Sequence, residues 1–176
     1  MDRLPDISRL AHWSASTTKQ GFGVTNLLDG SPDTFWQSDG HQPHTLTLRF
    51  AKRQPIHAIS LFLDYARDES YTPCRIRLLA GSNPHDLQLL LDHVLETPPN
   101  GWVLLPLADA AGEKDGGGAL HAHFLCIELP ANYESGRDVH VRMARVLAPP
   151  PRDAAFRRDR VLPFSTPDFS MYDSIR

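Results

Sequence analysis

Apolar residues in this chain recur mainly at every second position, and short clusters of glycine, proline and asparagine interrupt them at close intervals. No other feature limits the fold as much. Side chains two apart share one face of a strand, whereas a helix face needs a spacing near 3.6. Segment 44–50 puts Leu46, Leu48 and Phe50 on one face and Thr45, Thr47 and Arg49 on the other. Segment 56–63 is almost wholly apolar and reads as a strand covered on both faces. Segments 75–80, 102–107, 124–129 and 139–147 read as further strands. Segment 87–95 is compatible with a strand or a short helix, and 26–29 with one helical turn. Turn residues punctuate these runs at 81–84, 97–101 and 132–136. The 15 prolines argue against long helices. About seven short strands at this spacing predict an all-β fold, an antiparallel sandwich or jelly roll.

A length of 176 residues suits one domain. The formal net charge of −3 gives no global attraction to nucleic acid or an anionic membrane. Apolar runs fall far short of the ~18 residues of a membrane span. The opening residues lack an apolar stretch, so no secretory leader is expected and a nuclear and cytoplasmic location is. Two cysteines, Cys74 and Cys126, cannot build a disulfide framework. They are either one bridge or two thiols, with Cys126 in the apolar run 124–127 reading as a packed core thiol.

Catalytic signatures are missing. The chain has no Gly-x-Gly-x-x-Gly, phosphate-binding loop or Gly-x-Ser-x-Gly. His121 and His123 would share a strand face, but two ligands do not make a zinc site. Asp64, Asp68 and Glu69 cluster in sequence, with Arg67 between them, and a solvated or partner-binding loop explains them better than a glycosidase pair. No enzyme activity, cofactor or metal is expected.

The character changes near residue 149. Residues 149–160 are proline-rich and charged, while Phe169, Met171, Tyr172 and Ile175 return further on. The expected division is a β-sandwich over 1–148 and a linker with a docking tail over 149–176. The tail either docks on a partner or packs on its own domain. The glycine-rich stretch 112–118 reads as a surface loop.

Four blocks carry a resemblance. They are WSASTTKQGFGV at 13–24 running into LLDGSPDTFWQSDG at 27–40 and QPH at 42–44; DYARDESYTP at 64–73; Asn132 with GRDVH at 136–140 and Arg142; and MYDSIR at 171–176. In order and spacing they resemble DOC domains, the family with a member in the anaphase-promoting complex. The run DGSPDTFW at 29–36 is common to the wider group of discoidin-type and sugar-binding jelly rolls, so it bears on fold more than function. In sugar-binding relatives this region can hold calcium, and Asp29 and Asp33 could supply oxygens here.

The resemblance implies a non-catalytic co-receptor of a ubiquitin ligase. With a WD40 co-activator, it would bind destruction-box degrons and raise the processivity of ubiquitination. Carried over by position, the binding loops comprise Ser38, Asp39 and Gly40; Asp68, Glu69, Ser70 and Tyr71; and Asn132, Gly136, Arg137, Asp138 and His140. Asp39, Asp68 and Glu69 would meet positive charge on the peptide, and Ser70 and Asn132 would hydrogen-bond its backbone. Arg137 and Asp138 are alternatively a local ion pair. Alanine at Asn132 and His140 is expected to change stability by under about 0.5 kcal/mol, as is usual for exposed loops. The tail residues Met171, Tyr172, Ile175 and Arg176 would dock on a tetratricopeptide-repeat scaffold subunit. No nucleic acid or membrane partner is implied. The alternatives are a carbohydrate-binding module on the same sandwich and, less favoured, a hydrolase without a local motif.

Overall fold

The computed structural model describes residues 4–107 and 119–150. Among them, ten strands form three antiparallel sheets. In chain order the strands are β1 (Ala11–Ala15), β2 (Trp36–Gln37), β3 (His44–Ile56), β4 (Ala58–Asp64), β5 (Pro73–Gly81), β6 (Gln88–Val94), β7 (Asn100–Pro106), β8 (Leu120–Asn132), β9 (His140–Val141) and β10 (Met143–Leu147). A five-stranded sheet runs β1-β3-β8-β5-β6, a three-stranded sheet β10-β4-β7, and β2 pairs with β9. A single helical turn, α1 (Tyr65–Asp68), follows β4, and 3₁₀ turns occupy Ser8–Leu10, Val24–Leu28, Glu69–Tyr71 and Tyr133–Ser135. This is the expected jelly-roll sandwich. No helix among the described residues is long and apolar enough to cross a membrane.

Alternation in the sequence becomes the core directly. Leu46, Leu48 and Phe50 of β3, Ile76 and Leu78 of β5, and Leu125, Ile127 and Leu129 of β8 are buried in one cluster. Ile59, Leu61 and Leu63 of β4, Leu105 of β7 and Val146 of β10 belong to the same cluster. The two inner faces therefore bury each other, as sandwich sheets do. Trp36 is fully buried, and its indole N–H donates to the Thr17 carbonyl at 3.2 Å. That satisfies the one polar group of a large apolar anchor. Cys74 and Cys126 are free thiols, and burial pushes the Cys126 thiol up from its ordinary value.

Two segments differ from the sequence pattern, for identifiable reasons. Residues 87–95 form a strand, not a helix. Leu78 pairs with Leu91 and Leu79 with Leu89, so Leu90 is an extra residue on β6 and the leucines lose strict alternation. Cross-strand bonds from Arg75 and Arg77 on β5 to Asp92 hold β6 in place and lower the Asp92 carboxyl to about 2. Residues 139–147 form two strands, because His140–Val141 pair with β2 and Met143–Leu147 with β4, and between them the Arg142 guanidinium enters a buried ion cluster.

The N-terminal residues are stitched to β10. Ile7 N–H donates to the Val146 carbonyl at 2.9 Å, Ala148 N–H to Pro5 at 2.8 Å, and Val146 N–H to the Ser8 hydroxyl at 2.8 Å. The resemblance's tail residues Met171, Tyr172, Ile175 and Arg176, and the loop 112–118, lie outside the described residues.

Leu78→Ala, in the fully buried middle of β5, is expected to lower unfolding free energy by about 2–5 kcal/mol. Leu89→Ala, on the exposed side of β6, should change it by under about 0.5 kcal/mol. Urea titration of both variants separates an inner from an outer strand face.

Candidate functional site

Three connections meet at one end of the sandwich: residues 38–43 between β2 and β3, 65–72 between β4 and β5, and 133–139 between β8 and β9. They are the three loops that the resemblance selected, and the structure brings them together. The Ser38 hydroxyl accepts from Val139 N–H at 2.8 Å, and Ser38 N–H donates to the Val139 carbonyl at 3.1 Å. The Gln42 amide donates to Gly136 O at 2.9 Å, and His44 Nε2 lies 2.7 Å from Arg137 O. Asn132 Nδ2 donates to Asp138 O at 2.6 Å, and Tyr133 N–H to Thr72 O at 3.0 Å. A β-carbon on Gly136 would sit 1.8 Å from Ser70 O, so this close loop crossing requires glycine.

Beneath the loops lies a buried cluster of charge. Asp68 is 5% exposed and Arg142 is 3% exposed. Arg142 Nε and Nη2 donate to the two Asp68 oxygens at 2.8 and 2.6 Å, a bidentate pair. Its third nitrogen, Nη1, donates to Pro32 O at 2.7 Å. His140 Nδ1 is 3.0 Å from Asp68 Oδ1, and an ionised carboxylate only accepts, so Nδ1 carries the proton. Burial pushes the Asp68 carboxyl up, but the hydrogen bonds and charge of His140 and Arg142 outweigh it and leave the carboxyl below its ordinary value.

Four rings form a column over this cluster. Phe22 stacks on Phe35 at 4.9 Å, Phe35 on His140 at 4.2 Å, and His140 on Tyr71 at 4.2 Å with only 13° between planes. The column ends at Tyr71, which is 40% exposed. Glu69, Glu134 and Ser135, beside it on the two flanking loops, have φ of 46°, 53° and 58°. These are the only non-glycine residues at positive φ among the described residues. Each such conformation costs on the order of 1–3 kcal/mol and persists where the surroundings over-determine it.

Sequence reasoning placed several of these residues on the wrong side of the surface. Asp68 does not face a peptide: its charge is already met by Arg142 and His140. Ser38 is fully buried and Asn132 is 7% exposed, and both hold neighbouring loops. His140 lies inside the ring column. Alanine at Asn132 or His140 therefore removes packing and buried hydrogen bonds, and near-neutral stability is no longer expected. Arg137 and Asp138 form no ion pair; their backbone carbonyls do the bracing. Asp39, Glu69, Tyr71 and Arg137 do reach the surface, with Gly40, Ser70, Gly136 and Asp138 partly exposed. Asp29 accepts from Ser31 N–H and the Thr34 hydroxyl, and Asp33 pairs with Arg67, so both brace their turn. His121 and His123 lie on β8, and no metal-holding group of three or more His, Cys, Asp or Glu occurs among the described residues.

Sequence reasoning missed Phe22, Phe35 and the weight carried by Arg142. One signal was available: an arginine interrupting an apolar run is seldom buried without a partner.

A family model described as Anaphase-promoting complex, subunit 10 matches residues 1–174. Curated relatives of that name from Schizosaccharomyces pombe, Drosophila melanogaster and Homo sapiens are 38%, 39% and 36% identical over 97% of this chain. The matches cover 87%, 84% and 88% of those relatives. In fold, the chain is similar to a family 32 CBM of Clostridium perfringens NanJ in complex with galactose. That likeness has a TM-score of 0.63 at 13% identity and covers 80% of this chain and 96% of the other. A second Clostridium perfringens CBM32 domain, in complex with GalNAc-beta-1,3-galactose, gives 0.66 at 10%, covering 82% and 100%. At such identity the likeness concerns the fold alone.

Asp68→Asn is expected to destabilise the fold by about 3–5 kcal/mol, because it leaves the Arg142 charge buried without a counter-ion. The parent's lowered Asp68 pKa implies that the pair stabilises fully above pH 3.8 and fades as pH falls toward the folded value. Thermal unfolding from pH 6 to 3 should therefore show a steeper acid loss in the parent than in Asp68→Asn.

Proposed function

The chain belongs to the anaphase-promoting complex subunit 10 family, and from that premise we propose that its loop rim is a co-receptor surface for destruction-box degrons. In this reading the subunit performs no chemistry. It holds an extended peptide jointly with a WD40 co-activator and so promotes processive ubiquitination in cell-cycle control, in the nucleus and cytoplasm.

One observation carries the reading. The exposed groups Asp39, Glu69 and Tyr71 stand on loops that are cross-linked to each other and to a buried ion pair. Asp39 N–H donates to the Thr17 hydroxyl at 3.1 Å, so the backbone is held while the exposed carboxylate has no partner among the described residues. Glu69 is exposed, and its carboxylate likewise has no partner among the described residues. Tyr71 offers its outer ring face to solvent, because His140 occupies the inner one. An exposed acid two residues from an exposed aromatic face, with a second acid on the 38–43 loop, suits a basic or planar cationic side chain. Rigid presentation matters for binding, since loop ordering is then not charged against affinity. Each exposed ion pair contributes only about 0.2–1 kcal/mol. Such a surface is weak alone and effective when a second receptor shares the ligand.

The tail belongs to the same proposal. Ile175 offers an apolar anchor and Arg176 a planar donor fork, and a tetratricopeptide-repeat scaffold subunit would receive them in its groove.

Charge reversal at both exposed acids, Asp39→Lys with Glu69→Lys, should reduce degron-dependent ubiquitination several-fold in the reconstituted complex. Melting temperature should stay within about 3 °C, as expected for exposed positions. Full activity with wild-type processivity would remove the rim from degron binding. Specific retention on a glycan array, lost in the same variant, would instead favour the sugar-binding reading. Deleting Ile175 and Arg176 should leave the fold intact and weaken incorporation, measured by co-purification with the scaffold subunits. Unchanged incorporation would reject the tail's role.

A further inference from the structure

The outer face of the three-stranded sheet carries a groove that the rim does not explain. Its residues follow from the ladder. Arg145 on β10, Ser60 on β4 and Leu104 on β7 are cross-strand neighbours, and Met143, Phe62 and Trp102 form the next row. In the first row a small residue lies between two large ones, so Ser60 is a floor and the flanking strands are walls. Leu4 and Leu147 extend one wall, and the groove encloses about 490 Å³.

Three features mark it as built to receive something. Trp102 and Leu104 are 39% and 56% exposed, side by side on one strand. β7 is an edge strand with no charged residue in its seven positions, whereas exposed edges are usually protected by charge. Ser60 is 6% exposed and lines the groove as its small floor. Above the floor, the Arg145 guanidinium lies 4.2 Å from the Trp102 ring centroid. Its one acid among the described residues is Asp6, whose Oδ2 lies 3.8 Å from Nε, beyond hydrogen-bond reach, while Ser8 N–H and hydroxyl donate to the other oxygen, Oδ1. A guanidinium with five donors thus keeps most of them open beside an apolar slot.

We propose that this groove docks a short segment of a neighbouring subunit of the complex, one bearing an aliphatic or aromatic side chain within three residues of an aspartate or glutamate. The apolar side chain fills the slot over Ser60 between the Trp102–Leu104 wall and Leu147. The carboxylate takes the open donors of Arg145, a charge-assisted contact that the stacked indole pre-orients. Charge selects the occupant. The groove's lining acid, Asp6, faces Arg145 Nε, and the two terminal nitrogens of Arg145 have no hydrogen-bond partner among the described residues, so they are open to a carboxylate. The site is also separate from the rim. Ser60 lies near the start of β4 and the rim at its far end, roughly 15 Å away at the ~3.3 Å rise of a strand. A degron and a groove partner can therefore be held together.

The test places a photo-crosslinking amino acid at Leu104 in the full chain within the assembled complex and identifies the joined peptide by mass spectrometry. A single segment of another subunit, with an acid within three residues of the crosslinked apolar residue, is expected. A crosslinker at Leu89, equally exposed on the opposite sheet, should give no such product. Arg145→Glu should lower the Leu104 yield at least ten-fold with the melting temperature held within a few degrees. Leu104→Asp, tested by co-purification, gives a second reading at a position too exposed to affect folding. Crosslinks to residues 151–176 of the same chain, to a second copy, or to a segment without an acid overturn the proposal. So does a yield that Arg145→Glu leaves unchanged.

Discussion

The bidentate pair between Arg142 and Asp68 is the contact on which the loop end of this molecule depends. The two residues are 74 apart in sequence, and both are almost fully buried. Arg142 also reaches the carbonyl of Pro32, so one guanidinium ties together the 29–35 turn, the connection after β4 and the junction between β9 and β10. Two charges cannot leave water at small cost unless each is fully engaged. Here the carboxylate takes two bonds from Arg142 and one from His140, and the third guanidinium nitrogen of Arg142 donates to Pro32. The arrangement stabilises little by itself. Its effect is to permit only one relative placement of three loops.

From that anchor the rim follows in layers. His140 transmits the position of Asp68 to the ring column, and the column sets Tyr71. The crossing of Gly136 against Ser70 brings two loops to backbone contact, and Glu69, Glu134 and Ser135 hold positive φ beside it. Strain of this kind is sustained only by surroundings that leave the chain no alternative. The surface groups above it are few and weak one by one, which suits a receptor that shares its ligand. Along β4 the rim and the outer groove are set apart on one strand.

Much of the architecture was legible in advance. The alternation at 44–50 became β3 with the expected inner face, and 124–129 became the centre of β8. Segment 87–95 was ambiguous because the extra residue Leu90 breaks the period, and a bulge leaves no mark in a single sequence. Segment 139–147 read as one strand because its apolar residues continue through Arg142. The division there is a change of partner from β2 to β4, which neighbours along the chain do not announce. For the site, the structure brings the three expected loops together but divides their residues: Asp68, Ser38 and Asn132 lie inside, and Asp39 and Glu69 outside.

By itself the order of residues determined the strands, the turns between them and the apolar set that fills the sandwich. These depend on periodicity and on turn chemistry, both properties of neighbours along the chain. Only the tertiary structure decided which polar loop residues brace and which remain free to bind. An aspartate is a ligand or a strut according to whether an arginine 74 positions away reaches it first, and no local pattern encodes that meeting.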